Sequence, residues 1–169
     1  KRIMHNPFKS SINSIEIYNF RNHGSIKLMD LNDGPVVLTG PNGVGKTNIL
    51  EAISLLTLSK GIRAAKISEL TNQENPQFIW HIKSQLQSVY GLKEIATFRN
   101  IRPNTKSDSR ILHIDGQPAK KDELSQIIKT IWVTPPMQQL FIASSLERRN
   151  FFDHIVSNFF PSHSSHLTR

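Results

Sequence analysis

The sequence predicts an α/β domain built on a mixed sheet that contains antiparallel strands. Three observations indicate this class. Apolar residues alternate with period two over residues 12–20 and again over 25–28, as expected for half-buried strands. A glycine-rich segment stands between a short apolar run and a stretch with helical periodicity. Finally, 37% of the 169 residues are hydrophobic, which is enough to bury a core and excludes wholesale disorder.

The first part of the chain predicts three strands and a helix. Residues 1–11 are polar and basic, and we expect a flexible leader before one domain that covers residues 12–169. Alternation predicts strands at 12–20 and 25–28, joined by a turn at 21–24. The continuous apolar run at 36–39 is typical of a strand buried on both faces. Helical spacing of apolar residues predicts a helix over 47–59, which Gly61 would end.

The second part predicts paired strands followed by helices. Strands at 78–82 and 94–98 are expected to pair, and a third strand at 111–115 would end in a turn at Asp115-Gly116. We expect a short helix over 121–128 and another buried strand at 131–133. A last helix is predicted to begin near Ser144, because Ser144 and Glu147 form a capping-box pattern.

The most informative segment is GPNGVGKT, residues 40–47, which fits the phosphate-loop pattern G-x-x-x-x-G-K-[ST]. Its glycines allow left-handed backbone angles and a close approach to phosphates. The loop amides would form an anion nest at the N-terminus of the following helix. Lys46 would contact the β- and γ-phosphates, and the Thr47 hydroxyl would bind Mg²⁺. The predicted ATP-binding residues are Gly40, Pro41, Asn42, Gly43, Val44, Gly45, Lys46 and Thr47.

Composition limits the possible partners and chemistry. With 21 Lys and Arg against 13 Asp and Glu, the formal net charge is +8, which favours polyanionic partners. The absence of cysteine excludes disulfides, cysteine zinc sites and thiol catalysis. No apolar run approaches the roughly 20 residues that a membrane-spanning helix needs. We therefore expect a soluble, cytoplasmic protein without a membrane partner.

Several segments resemble the RecF family of bacterial DNA repair proteins. They are IEIYNFRN at 15–22, GPNGVGKTNILEAISLL at 40–56 and ERRNFFD at 147–153, in the family's order, and the resemblance covers about residues 12–165. It implies a P-loop NTPase fold of the ABC/SMC head type, here its N-terminal portion only. It also implies that Arg21 and Asn22 lie near the nucleotide.

The resemblance further implies a function in DNA replication, recombination and repair, including the SOS response. Members of the family bind ATP and DNA, form ATP-dependent homodimers and help load recombinase at gapped DNA with other recombination mediators. Single-stranded DNA or gapped duplex would be the partner. The cationic residues are spread along the chain without a run of five or six. We predict that the DNA surface includes Arg63, Lys66, Lys120 and Lys121.

The sequence departs from the family where catalysis is expected. After Thr134-Pro135 stands Pro136 instead of the family's usual Gln or Glu, so Gln138 or Gln139 would bind Mg²⁺ only from a shifted loop. No apolar strand ends in an Asp-Glu pair, which would complete the metal shell and polarise the attacking water. We expect a head truncated before that strand and the signature motif. Such a chain holds no complete catalytic set and binds ATP without hydrolysing it unaided.

Other interpretations remain open from the sequence alone. A P-loop kinase of a small molecule or RNA would need an arginine-rich lid, for which Arg148-Arg149 gives slight support. A degenerate split-gene product would keep only the fold and the DNA affinity. The role of Arg148-Arg149, which match paired arginines in the family, is open between function and a solvated helix face. For Asp115, a hairpin-turn residue is a better interpretation than a metal ligand.

Overall fold

The protein is described by a computed structural model covering residues 10–31, 33–101, 108–135, 137 and 144–159. The chain divides into two compact units, Lys1–Ile128 and Lys129–Arg169. None of the described helices combines the length and the apolar character required to cross a membrane. The predicted leader lies almost entirely outside the described residues, since the description starts at residue 10 and the first strand at Ser11.

A six-stranded sheet forms the body of the first unit. Its spatial order is β2-β1-β3-β4-β5-β6, and every pairing is antiparallel. The predicted antiparallel strands are therefore confirmed, and the parallel pairs of a mixed sheet do not occur among the described strands. The strands are β1 (Ser11–Phe20), β2 (His23–Leu28), β3 (His81–Ser88), β4 (Gly91–Asn100), β5 (Ser109–Ile114) and β6 (Gln117–Pro118).

One face of this sheet carries the core. On β1, Ile15 and Ile17 are two residues apart and both buried, because alternate side chains of a strand point to the same face. On β3 the same rule buries Ile82 and Leu86. Trp80 is fully buried, packs edge-to-face on Phe20 at 5.8 Å between ring centroids and donates its indole N–H to the Ile67 carbonyl. Burying each such side chain contributes about 1.5–3 kcal/mol.

The helices are short except for the last one. In the first unit, α1 (Lys46–Ser54) packs on the core through Ala52, a 3₁₀ turn spans Ile67–Leu70, and α2 covers Lys121–Ile127. In the second unit, α3 (Ser145–Phe159) begins one residue after Ser144, whose carbonyl accepts a hydrogen bond from the Arg148 N–H. The predicted helices near 121 and 144 are confirmed.

The predicted helix over 47–59 is too long by five residues. Hydroxyl groups explain the early end: Thr57 and Ser59 both donate to the Ser54 carbonyl, at 3.0 and 2.9 Å. These bonds replace the backbone donors that a continuing helix would supply. The chain therefore leaves the helix after Ser54 and folds into a compact turn.

Two predicted buried strands are wrong. Residues 36–39 and 131–133 are irregular, and Val37 and Val133 are 78% and 69% exposed. A strand buried on both faces needs neighbouring strands to pair its backbone, and no described strand pairs with either segment. The strand predicted at 78–82 corresponds to β3, which begins at His81. Phe78 and Ile79 are exposed and lie before the sheet starts. Residues 102–107, between β4 and β5, lie outside the described part.

Candidate nucleotide-binding site

The phosphate loop has the backbone conformation that its glycines predict. Gly40, Gly43 and Gly45 have φ angles of 144°, 84° and 98°, in the region that glycine adopts without steric cost. Gly45 is the left-handed N-cap of α1, and its carbonyl accepts the Asn48 N–H at 2.9 Å. The loop thus leads directly into a helix N-terminus, where free amides and the helix dipole favour an anion.

Lys46 holds its positive charge at this loop. Its ammonium group donates to the carbonyls of Gly40 and Pro41, both at 2.7 Å. Next to it, Thr47 is exposed. The Lys46 ammonium and the exposed Thr47 hydroxyl therefore stand together at the start of α1, as binding of a phosphate chain requires.

The turn between β1 and β2 supports the loop from outside. The Asn22 amide donates to the Gly43 carbonyl at 3.3 Å, and its own oxygen accepts the Asn48 amide at 2.7 Å. A ring nitrogen of His23 lies 3.1 Å from the Gly45 carbonyl. Asn22 is therefore close to the loop, and its place beside a nucleotide stays a prediction. His23 was not singled out from the sequence, where it is simply part of the polar turn.

Arg21 lies in the same turn, but its guanidinium group binds a carboxylate. It forms a bidentate pair with Glu51 of α1, at 2.9 and 2.7 Å, and also donates to the Glu69 carbonyl. Arg63 approaches the same carboxylate at 2.6 Å and the Asn48 side-chain oxygen at 2.7 Å. Glu51 is buried, and a buried carboxylate needs such compensation. Nothing in the sequence indicates the burial of Glu51, because an acidic residue on a helix is usually exposed.

The other predicted site residues belong to different segments of the chain. Lys66 is exposed in the segment after α1, and Lys120 is exposed between the edge strand β6 and α2. Lys121 starts α2, although its side chain is outside the description, as are Gln138 and Gln139. In the second unit, Arg148 donates to the Ser145 hydroxyl at 3.2 Å in the first turn of α3.

No cluster of three His, Asp or Glu residues suited to a metal ion occurs in the described part of the chain. Asp115 is a turn residue with a φ of 49°. Its carboxylate accepts the Lys93 ammonium at 2.7 Å and the Glu94 N–H at 2.9 Å. These two hydrogen bonds lower the pKa of Asp115 below its ordinary value. The geometry agrees with the hairpin-turn interpretation.

Comparison with known proteins identifies relatives of this site and fold. The family model described as "RecF/RecN/SMC N terminal domain" matches residues 11–136. The DNA replication and repair protein RecF of Rickettsia akari is 37% identical over 158 residues, which are 94% of this chain and 42% of that protein. RecF of Rickettsia prowazekii is 36% identical with the same coverage. The chain thus spans 42% of the length of these relatives.

Two solved structures share the fold. One is described as the recombination mediator protein RecF-ATPrS in the RecFOR pathway; its TM-score is 0.80 at 22% identity, over 97% of this chain and 43% of that one. The other is described as RecF-ATP in the same pathway, with a TM-score of 0.69 at 23% identity over 89% and 40% of the two chains. The likeness confirms the predicted fold class, the N-terminal portion of a RecF-type head.

Proposed function

The chain belongs to the RecF/RecN/SMC N-terminal domain family, and from this membership we propose that it is the ATP-binding part of a RecF-like DNA repair protein. ATP would bind at residues 40–47, with Asn22 supporting the loop from the turn between β1 and β2. The observation that carries the proposal is the loop itself. Three glycines at positive φ lead into α1, whose first residue, Lys46, donates to two loop carbonyls.

Mg²⁺ would accompany the nucleotide, and the residues present fit it. Magnesium keeps several waters and is usually held by substrate phosphates with few protein ligands. The exposed Thr47 hydroxyl, next to Lys46, supplies one such ligand. The ion would neutralise phosphate charge, while Lys46 and the loop amides orient the phosphates.

Hydrolysis is a separate matter from binding. Turnover in such heads needs a carboxylate to polarise water and a carboxylate for the metal. We propose that this chain binds ATP without turning it over unaided, because none of the described strands leads into an Asp-Glu pair. Glu51, the acidic residue of α1, is fully engaged by two arginines.

DNA would be the macromolecular partner. Support comes from the net charge of +8 and from relatives named DNA replication and repair proteins. We propose cytoplasmic action at single-stranded or gapped DNA, ATP-dependent homodimer formation and cooperation with other mediators to load recombinase. Family membership leaves the kinase interpretation without support.

Equilibrium binding of a fluorescent ATP analogue with Mg²⁺ tests the nucleotide site. Lys46→Ala should weaken binding about 10- to 100-fold, since a charge-assisted hydrogen bond contributes about 1.5–3 kcal/mol. Lys83→Ala is the matched control, because Lys83 is a β3 lysine that pairs with Glu94 on the sheet. If both variants bind the ATP analogue as tightly as the unmodified chain, the proposed nucleotide site is wrong. Phosphate release that requires metal and disappears in Lys46→Ala would contradict the proposed lack of turnover.

A further inference from the structure

Arg63 reaches two side chains of α1 from the segment that follows this helix. One guanidinium nitrogen, Nη1, lies 2.6 Å from Glu51 Oε2 and 2.7 Å from Asn48 Oδ1. Its side chain is 40% exposed, whereas that of Glu51 is 2% exposed. Glu51 is held independently by Arg21 through two hydrogen bonds. The hydrogen bond from Arg63 to Asn48 is therefore not needed to neutralise the Glu51 carboxylate.

From Asn48 a directed series of hydrogen bonds runs to the phosphate loop. Arginine only donates, whereas an asparagine amide has one accepting oxygen and one donating nitrogen. Because Arg63 occupies the oxygen of Asn48, the nitrogen of Asn48 faces Asn22, and it donates to Asn22 Oδ1 at 2.7 Å. The Asn22 nitrogen is thereby turned to the Gly43 carbonyl, at 3.3 Å. Arg63 thus sets the polarity of both amides.

The final bond fixes one peptide plane of the loop. The Gly43 carbonyl and the Val44 N–H belong to the same planar trans peptide group and point in opposite directions. Anchoring the carbonyl on Asn22 therefore directs the Val44 N–H away from the β1–β2 turn. Without Arg63, the two amides can rotate together by 180° and keep a hydrogen bond between them, and the reversed Asn22 would place its oxygen against the Gly43 carbonyl oxygen.

We propose that Arg63 is a positioning residue for the phosphate loop, acting through Asn48 and Asn22 on the peptide group between Gly43 and Val44. The proposal rests on the proposed ATP binding at this loop. Arg63 would thus act on the nucleotide site indirectly, through the side-chain amides of Asn48 and Asn22.

The test compares ATP-analogue affinity in variants of the full chain. Arg63→Met removes the donor and keeps the apolar stem, and it should weaken binding about tenfold, within the range known for residues that modulate a distant site. Arg63→Lys keeps a donor-only cation and should restore most of the affinity. Asn48→Leu breaks the series while leaving the Arg63–Glu51 pair intact, and it should cost the same factor. Lys60→Met, an exposed cation of the same segment, should leave affinity unchanged.

A double-mutant cycle distinguishes this role from a purely structural one. If the series is real, Asn22→Ala added to Arg63→Met should cost little more than either change alone. Affinity of Arg63→Met and Asn48→Leu within twofold of the unmodified chain would overturn the proposal, even if their melting temperatures fall. Independent, additive losses would overturn it as well. Binding that is lost in Lys46→Ala but kept in Arg63→Met would overturn this inference alone, whereas an unmodified chain that binds no ATP would overturn the proposed function with it.

Discussion

Gly45 is the residue of the loop that tolerates a side chain least. Its φ of 98° costs a non-glycine residue about 1–2 kcal/mol. A Cβ atom would also collide with the His23 ring and lie 2.6 Å from the Asn22 side-chain oxygen. Gly45→Ala should therefore lower the free energy of unfolding by about 2–4 kcal/mol, measured by urea denaturation.

Substitutions at Gly43 and Gly24 distinguish the backbone strain at Gly45 from its steric clash. Gly43 has a φ of 84° but open space around its Cβ position, so Gly43→Ala should cost only the backbone strain. Gly24 has open space and no positive φ, and Gly24→Ala should change stability little. Equal losses for Gly43→Ala and Gly45→Ala would show that His23 and Asn22 move aside and do not support the loop tightly.

Asp115 gives the hairpin between β5 and β6 a defined pH dependence. Its pKa is lowered by the hydrogen bond from Lys93 and by that from the Glu94 N–H. A carboxyl group with a lowered folded pKa stabilises above its unfolded pKa, 3.8, and this contribution is lost as the pH falls through the folded value. Asp115→Asn should thus lower the melting temperature slightly at pH 5–7, and the difference should shrink below about pH 3.8.

Asparagine is a suitable replacement there because it tolerates the left-handed φ of 49°. The partner supplies the control: in a Lys93→Gln background, Asp115→Asn should have a smaller effect at neutral pH. A melting-temperature difference that stays constant from pH 7 to pH 3 would show that the carboxylate charge does not contribute.

Among the elements, the end of α1 depends on one arginine from a distant strand. Arg110 of β5 donates to the carbonyls of Leu55, Thr57 and Ser59, at 2.8, 2.9 and 2.9 Å. Burial lowers the pKa of Arg110 to about 10, so it remains charged at neutral pH. A cation at a helix C-terminus is also favoured by the helix dipole.

Replacing Arg110 should therefore loosen the turn after α1. Arg110→Met leaves three carbonyls without their donor, and we expect a loss of about 2–3 kcal/mol in the free energy of unfolding. A cavity of about 910 Å³ beside it admits water, which limits the loss. Arg110→Lys should recover only part of this stability, because an ammonium group lacks the planar guanidinium donors that reach the three carbonyls together. Lys60→Met is the control, and an unfolding midpoint in Arg110→Met equal to that control would contradict the capping role.

The elements also show which sequence patterns were sufficient and which were not. The apolar runs at 36–39 and 131–133 predict burial, yet Val36 and Ile131 are exposed, because a run cannot show whether a partner strand is present. The second half of β3 was missed since Ser84 and Ser88 occupy buried positions. Ser84 satisfies its hydroxyl on the Ser14 carbonyl at 2.9 Å. Buried and exposed positions therefore alternate along β3, but the serines at two buried positions keep this alternation from showing as an apolar pattern in the sequence.

For the candidate site, local features were predictable and long-range ones were not. The positive φ angles at Gly43 and Gly45 follow from a contiguous motif. The Glu51 carboxylate, in contrast, meets Arg21 and Arg63 from 30 and 12 residues away, and nothing in their spacing indicates that they converge. A buried carboxylate is visible only when the tertiary structure places cations around it.

At the scale of the whole molecule, the structure shows that several basic residues already pair with carboxylates, which leaves fewer free to contact DNA phosphates. Of the basic residues, Lys27, Lys83 and Lys93 pair with carboxylates on the sheet, and Arg63 is committed to Glu51 and Asn48. Three exposed lysines form no ion pair with any described residue: Lys60, Lys66 and Lys120. We therefore expect Lys66 and Lys120 to contribute more to DNA contacts than Arg63.

Salt dependence distinguishes specific phosphate contacts from diffuse charge. Each phosphate neutralised adds about 0.9 to the slope of log affinity against log salt for duplex DNA, and about 0.7 for single strands. The double variant Lys66→Gln with Lys120→Gln should reduce this slope by about 1.4–1.8, measured by fluorescence anisotropy with labelled single-stranded and gapped DNA. Lys27→Gln with Lys83→Gln removes the same charge from paired lysines and should leave the slope nearly unchanged. If both double variants weaken binding equally, DNA senses only the net charge, and the proposed surface is wrong.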